Sequence, residues 1–383
     1  MFKRIMSASE ARTTLLERCL PVQHAEQLAV AESAGRVLSS DVISSVDLPG
    51  FNRAAMDGFA VRSAETRGAS PSNPVYLSGF LPLRTGMAVP ETFDAVVMWE
   101  DAQARGETLE ITAAVHPYRN VSCIGEDILH GDLVLKQGHR LRPPDVALLS
   151  ALGIGEVAVH ALPKVAIIPT GGELVDIGAR SLEPGEAYEI NGLMARLYVE
   201  MWGGAARKRE TVPDDPEKIR QAMEAEQEAD MIIIIGGTSV GEKDYAPRVL
   251  AEAGELLVHG VRVQPGKPAA FGVVAGKPVV CLPGYPVAAL CDLYLFVRPA
   301  LLKMAHLDDT LPKTRARLTR KIASKPGYLS IVRVALQDGE AEPIMVSGAG
   351  ILSSVARADG FVIVPEEQEG MEAGETVDVN LFE

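Results

Sequence analysis

The sequence predicts a multidomain α/β plus β chain: a parallel-sheet α/β domain, a β-rich inserted lobe and a C-terminal β-barrel-like domain. Three observations predict it. The short runs VAIIP (165–169) and MIIII (231–235) are apolar throughout and lead into Gly-rich turns and helices, the pattern of strands buried on both faces. Between Asp41 and about Leu135 the texture becomes short β-type runs, VVM, LEIT and DLVL, separated by Gly, Pro and Asn. Beyond Lys313 alternation returns in YLSIVRVAL and GFVIVPEE, with a turn signal at Asp338-Gly339.

In chain order, Ser7 and Glu10 have the spacing of a capping box, and Leu15, Leu16 and Cys19 continue at helical spacing toward Pro21. After VAIIP and TGGEL a helix is expected that Asn191 caps, with Leu193, Leu197 and Met201 along one apolar stripe. In TVPDDP, Asp215 is placed to cap a helix that Pro216 opens. CLPGYP is a strand stub and turn; Pro286 starts an apolar helix that Pro299 should kink. In such sheets ligands bind beyond the carboxyl ends of the strands, where TGGEL and GGTSVG both fall.

A chain of 383 residues exceeds one ordinary core. With 51 acidic and 37 basic side chains the formal net charge is −14, which argues against sequence-independent binding to nucleic acid or an anionic membrane. The N-terminal stretch has two basic residues and no apolar run behind them, and no stretch approaches a membrane span, so a soluble cytoplasmic protein is expected. Cys19, Cys123, Cys281 and Cys291 show no CxxC spacing and read as reduced thiols.

Four motifs carry candidate chemistry. In GGTSVGEKDY (236–245), Gly236 and Gly237 allow backbone to approach a phosphate, and Thr238 and Ser239 add hydroxyls; a plain β-to-α turn explains the same residues about equally well. GFNRAAMDGFAV (50–61) is read on its own as a hairpin turn at Asp57-Gly58 with Phe59 and Val61 entering a strand. GED (125–127) alone is a solvated acidic loop, and Asp214 and Asp215 alone are helix caps. Paired-histidine zinc motifs, a Walker A lysine and a GxGxxG fingerprint are all missing from the sequence.

Taken in series, FNRAAMDGFAV, RTGMAVP with FDAVVMWED, IGEDI, PTGGELV, TVPDDP, GGTSVGEKDY, PGKPAAFG and CLPGYPVAA resemble the molybdopterin molybdenumtransferase family, the bacterial MoeA proteins and the E domain of gephyrin, nearly end to end. The resemblance implies an elongated four-domain homodimer. Its divisions fall here at 1–24 plus 163–312 for a molybdopterin-binding α/β domain, 25–43 plus 132–162 for a linker and dimerisation domain, 44–131 for the inserted lobe and 313–383 for the C-terminal domain. It also implies the reaction: adenylated molybdopterin and molybdate, with Mg²⁺ or another divalent cation, give molybdenum cofactor and AMP. A site shared between the α/β domain of one subunit and the lobe of the other follows, and the molybdopterin adenylyltransferase becomes a candidate partner.

By position the family's acidic residues map to Asp57, Asp127, Glu173, Asp214 and Asp244, and its turn prolines to Pro283 and Pro286. Asp57, Glu173, Asp214 and Asp244 are the catalytic candidates, with Asp127, Asp214 and Asp244 for the metal. Thr170, Gly171, Gly236, Gly237, Thr238, Ser239, Gly241, Arg262, Lys267, Pro283, Gly284 and Pro286 are the substrate-binding candidates. Amides would hold the anion and carboxylates the metal, which reconciles glycines with acids in one loop.

The chain departs from the family pattern at Ala102 (usually threonine), Gly172 (the aspartate of TGDE), Gln264 (lysine) and Tyr285 (the asparagine of GNP). Ser122, Cys123 and Ile124 stand where many bacterial members carry basic residues. Lost cations and carboxylates weaken oxyanion and metal binding, so a pterin-binding or scaffolding paralogue without turnover is the alternative to an active transferase. Arg262 is the candidate to restore one positive charge.

Overall fold

The computed structural model describes residues 5–238, 245–345 and 350–383. The chain divides into two compact units, one of residues 26–159 and one of residues 1–25 and 160–383.

The first unit is β-rich. Gly58–Val61 lies between Leu81–Leu83 and Ala95–Met98 in one three-stranded sheet, and Thr108–Ile111 lies between Val75–Leu77 and Ala102–Arg105 in another. Phe59, Val61, Val97, Leu109 and Ile111 share a core, so the alternation read from the sequence does put one face inside. Asp57-Gly58 does not form the hairpin turn expected of it. Gly58 belongs to the strand itself, where any side chain would collide with the Val97 carbonyl, and the short strand Arg53–Ala54 pairs instead with Val121–Ser122.

In the second unit, β1 (Lys164–Pro169), α1 (Asn191–Met201), β2 (Ala205–Lys208), α2 (Pro216–Glu224), β3 (Met231–Ile235), α3 (Tyr245–Ala253), β4 (Glu255–His259), β5 (Ala270–Val274), β6 (Lys277–Leu282) and α4 (Pro286–Asp292) follow one another. They build a six-stranded sheet of order β2-β1-β3-β6-β5-β4. The first four strands are parallel, as the apolar runs require, and β5 and β4 add an antiparallel edge. The β5–β6 hairpin closes on Ala275 and Gly276, both at positive φ. β3 is buried along its whole length between two cores, one containing Ala195, Val199 and Leu290, the other Ile219, Ala222 and Leu250.

The capping box forms at Ser7 and Glu10, ahead of the helix Ala8–Leu16, and Asp215 caps α2 by accepting from the amides of Glu217 and Lys218. The stripe expected on α1 is turned outward. Leu197 and Met201 are exposed while Asn191, Gly192, Ala195 and Val199 face the sheet, because small residues let α1 approach β1: a Cβ on Gly192 would stand 2.7 Å from Pro169 Cγ. Asn191 is not the helix cap; Ile190 occupies that position. After α4, residues Leu293–Val297 form a π turn before the helix Arg298–Met304, which absorbs the amide that Pro299 lacks.

Beyond Lys313, five strands close into a barrel: Leu329–Gln337 pairs with both Glu340–Met345 and Gly360–Val364, and the ring is completed by Lys313–Leu318 and Thr376–Leu381. Asp338 and Gly339 make the tight turn that the sequence signals, both at positive φ. Val263–Gln264 joins this sheet by pairing with Leu329–Ser330. One buried group stands apart: both oxygens of Asp292 are buried with no hydrogen-bond partner among the described residues, and burial pushes its carboxyl well above the usual carboxylate range.

Candidate functional site

Strands β1, β3 and β6 end side by side, and each runs directly into a loop. Thr170 donates its amide to the Ile235 carbonyl at 2.7 Å and its hydroxyl to the same oxygen at 3.2 Å. The Gly236 amide donates to the Leu282 carbonyl at 3.0 Å, and the buried Thr238 hydroxyl reaches that carbonyl at 3.5 Å. These bonds stitch the loop after each strand to its neighbour, so the loop positions are fixed by the parallel register itself.

Close approach explains the glycines. Gly236 and Gly237 lie at φ +101° and +60°, and a Cβ on Gly236 would stand 2.5 Å from the Thr170 carbonyl oxygen. A Cβ on Gly284 would stand 3.7 Å from the Gly236 Cα, which brings the LPGYP turn against the same place. The side chain of Asn191 holds that turn, its Nδ2 donating to the Gly284 carbonyl at 2.7 Å. Beneath it, buried Glu189 accepts from the Gly192 amide at 2.6 Å and lies 3.3 Å from Lys208 Nζ. The sequence reading missed this polar support; its signal was the Asn-Gly pair at the start of an otherwise apolar helix, where two poor helix formers stand together.

The loop after β2 completes the row. The Val212 amide donates to the Pro169 carbonyl at 2.8 Å, and Gly171 returns an amide to the Val212 carbonyl at 3.1 Å. Asp214 Oδ2 lies 3.4 Å from the Gly172 amide, while Asp215 is committed to capping α2. The adjacent aspartates thus have separate tasks. The same loop forms one wall of an open cleft of about 550 Å³, lined also by Arg207, Lys208, Arg209 and Lys218. Lys208 pairs with Asp176 at 2.8 Å, and Arg209 pairs with buried Glu226.

Thr170, Gly171, Asp214, Gly236, Gly237, Thr238, Pro283, Gly284 and Pro286 are therefore brought to one end of the sheet. Glu173 is exposed on the loop after β1, where its carbonyl accepts from the Ala187 amide. Lys267 is exposed after Gly266, and the Arg262 guanidinium, proposed as a substitute cation, lies 3.5 Å from Glu366. Ser239, Gly241 and Asp244 lie outside the described residues.

Asp57 and Asp127 belong to the other unit. Asp57 Oδ1 accepts from the amide of Thr85 at 2.7 Å and from its hydroxyl at 2.9 Å; these bonds, led by the amide, hold the carboxyl below its ordinary range. Asp127 is exposed in the loop where its amide meets the Leu48 carbonyl. Among the described residues, no group of three His, Cys, Asp or Glu side chains is gathered to hold a metal. The donor set still fits Mg²⁺ in one respect, since that ion is commonly held by one or two carboxylates together with substrate phosphate, and Asp214 offers a hard oxygen beside backbone amides.

A parallel sheet whose glycine loops and one carboxylate meet at the carboxyl ends of its strands has the geometry of a ligand-binding α/β domain. Residues 166–303 match the family model described as "Probable molybdopterin binding domain"; residues 6–153 match "MoeA N-terminal region (domain I and II)" and residues 315–382 "MoeA C-terminal region (domain IV)". A Methanocaldococcus jannaschii protein named for molybdopterin biosynthesis is 36% identical, covering 100% of this chain and 99% of its own. The molybdopterin molybdenumtransferase of Haemophilus influenzae is 30% identical over 99% of both chains. A crystal structure of the MoeA protein of Pyrococcus horikoshii superposes with a TM-score of 0.86 at 34% identity, covering 99% of this chain and 100% of that one. The chain belongs to the MoeA family of molybdopterin molybdenumtransferases, enzymes of molybdenum cofactor biosynthesis.

Proposed function

We propose that this chain transfers molybdenum from molybdate to adenylated molybdopterin, releasing AMP, at the carboxyl ends of β1, β3 and β6. The observation that carries the reading is the meeting of the Thr170, Asp214, Gly236 and Gly284 loops there. Glycine-bared backbone gives an anionic linkage a close surface, and Asp214 supplies a carboxylate beside it.

In this reading, Gly236 and Gly237 admit the phosphate-bearing part of the substrate, and the Pro283–Pro286 turn, held by Asn191, would flank it. Asp214, with Asp244, would hold a divalent cation such as Mg²⁺, which when bound supplies neutralisation of the phosphate charge that grows as AMP departs. Glu173 and Lys267, both exposed, would meet the oxyanion. We infer that the working assembly is a homodimer in which Asp57 and Asp127 of a second copy complete the site. On that reading Asp57, kept ionised by Thr85, aligns the reacting groups. The molybdopterin adenylyltransferase is the partner expected to deliver the substrate.

The test is direct. Purified protein mixed with adenylated molybdopterin, Mg²⁺ and molybdate should release AMP only when molybdate is present. A second reading, a pterin-binding paralogue without turnover, is favoured by Gly172, which offers an amide to Asp214 where the family carries a further carboxylate. Tight binding of adenylated molybdopterin with no AMP release would select it.

A further inference from the structure

Tyr285 is a large aromatic in an unexpected place. It occupies the position just before α4, where helix physics favours Ser, Thr, Asn or Asp, because a short polar side chain satisfies the first free amides. Here the helix begins with no side-chain cap hydrogen bond, and the tyrosine is 67% exposed. Neither capping nor burial accounts for the residue.

Its surroundings do account for it. The preceding residue, Gly284, has its carbonyl held by Asn191 and approaches the Gly236 Cα, so the backbone carrying the ring is fixed against the Gly236 loop at the carboxyl ends of the strands. The ring is bordered on one side by Gly350, where a Cβ would stand 3.5 Å from Tyr285 Cδ1, at van der Waals contact with the ring. An aromatic ring on a pinned turn, beside Gly350 on one side and largely exposed, is a surface for stacking a flat ring.

We propose that Tyr285 is a binding platform on which a flat heteroaromatic ring of the substrate, pterin or adenine, stacks. The inference rests on the reading of the carboxyl ends of β1, β3 and β6 as the substrate site. It gives up a helix cap for contact area with the ligand, the exchange of local stability for function seen where a local rule is broken at a site.

The experiment compares wild type, Tyr285→Phe, Tyr285→Ala and Tyr285→Asn by titration with adenylated molybdopterin, AMP and unadenylated molybdopterin, with unfolding temperature recorded for each. Wild type and Tyr285→Phe should bind alike. Tyr285→Ala and Tyr285→Asn should bind adenylated molybdopterin about tenfold more weakly, the effect of removing one stacked ring. Tyr285→Asn, which restores a cap, should unfold no lower than wild type. In AMP release the loss should appear in KM with kcat little changed. Whichever fragment loses affinity in parallel identifies the stacked ring. Unchanged binding by Tyr285→Ala, or a loss in Tyr285→Phe equal to that in Tyr285→Ala, would overturn the platform alone. Failure of the wild type to bind adenylated molybdopterin would overturn the reading of those strand ends as well.

Discussion

The Cα of Gly236 is pressed so closely on Thr170 that a methyl group there would stand 2.5 Å from the Thr170 carbonyl oxygen and 2.8 Å from its hydroxyl. Gly236→Ala must therefore shift backbone that is bonded on both sides, at a φ that disfavours any side chain. We expect a loss of about 2 to 4 kcal/mol in stability, read by urea denaturation, and loss of pterin binding in the surviving folded fraction. A variant as stable as wild type would show that the two loops do not touch.

The neighbouring aspartates of TVPDDP separate stability from chemistry. Asp215→Ala removes the cap of α2 and should cost about 1 kcal/mol of stability while leaving the affinity for adenylated molybdopterin nearly unchanged.

Asp214→Asn should behave in the opposite way. Among the described residues its carboxylate makes one long contact, to the Gly172 amide, so unfolding should move by less than about 0.5 kcal/mol. AMP release should fall by about a hundredfold or more if the carboxylate serves the reaction. Equal activity in wild type and Asp214→Asn would remove it from the site.

Much of this arrangement was legible in the sequence because it rests on local signals. Apolar runs gave the parallel strands, Ser7 and Asp215 gave caps, and Asp338-Gly339 gave a hairpin. What escaped depends on contacts distant in sequence. Asn191 bonds a carbonyl 93 residues away, and no helical periodicity can announce that. The outward turn of Leu197 and Met201 has the same origin: close packing of Gly192 on Pro169, not apolarity, set the buried face of α1. Gly58 looked like a turn because Asp-Gly is a turn signal, yet its smallness serves approach to Val97 within a sheet.

Asp292 gives a prediction with a defined sign. Its folded pKa is raised by burial, so the neutral form is favoured in the fold, and its contribution to stability is greatest below the ordinary carboxylate range and is lost as pH rises. Asp292→Asn keeps the shape without the charge. It should raise the stability at pH 8 by about 1 to 3 kcal/mol, and the gain should shrink as pH falls toward 4. Denaturation curves at several pH values read this directly; a gain that grows on acidification would reverse the assignment.

The central claim is that the loops after β1, β3 and β6 hold the adenylated pterin. A crystal structure of the protein soaked with adenylated molybdopterin tests it most directly. The account predicts density between Thr170, Asp214, Gly236 and Gly284, with the anhydride against the glycine backbone. Density confined to any other part of the chain, with those loops bare, would contradict it.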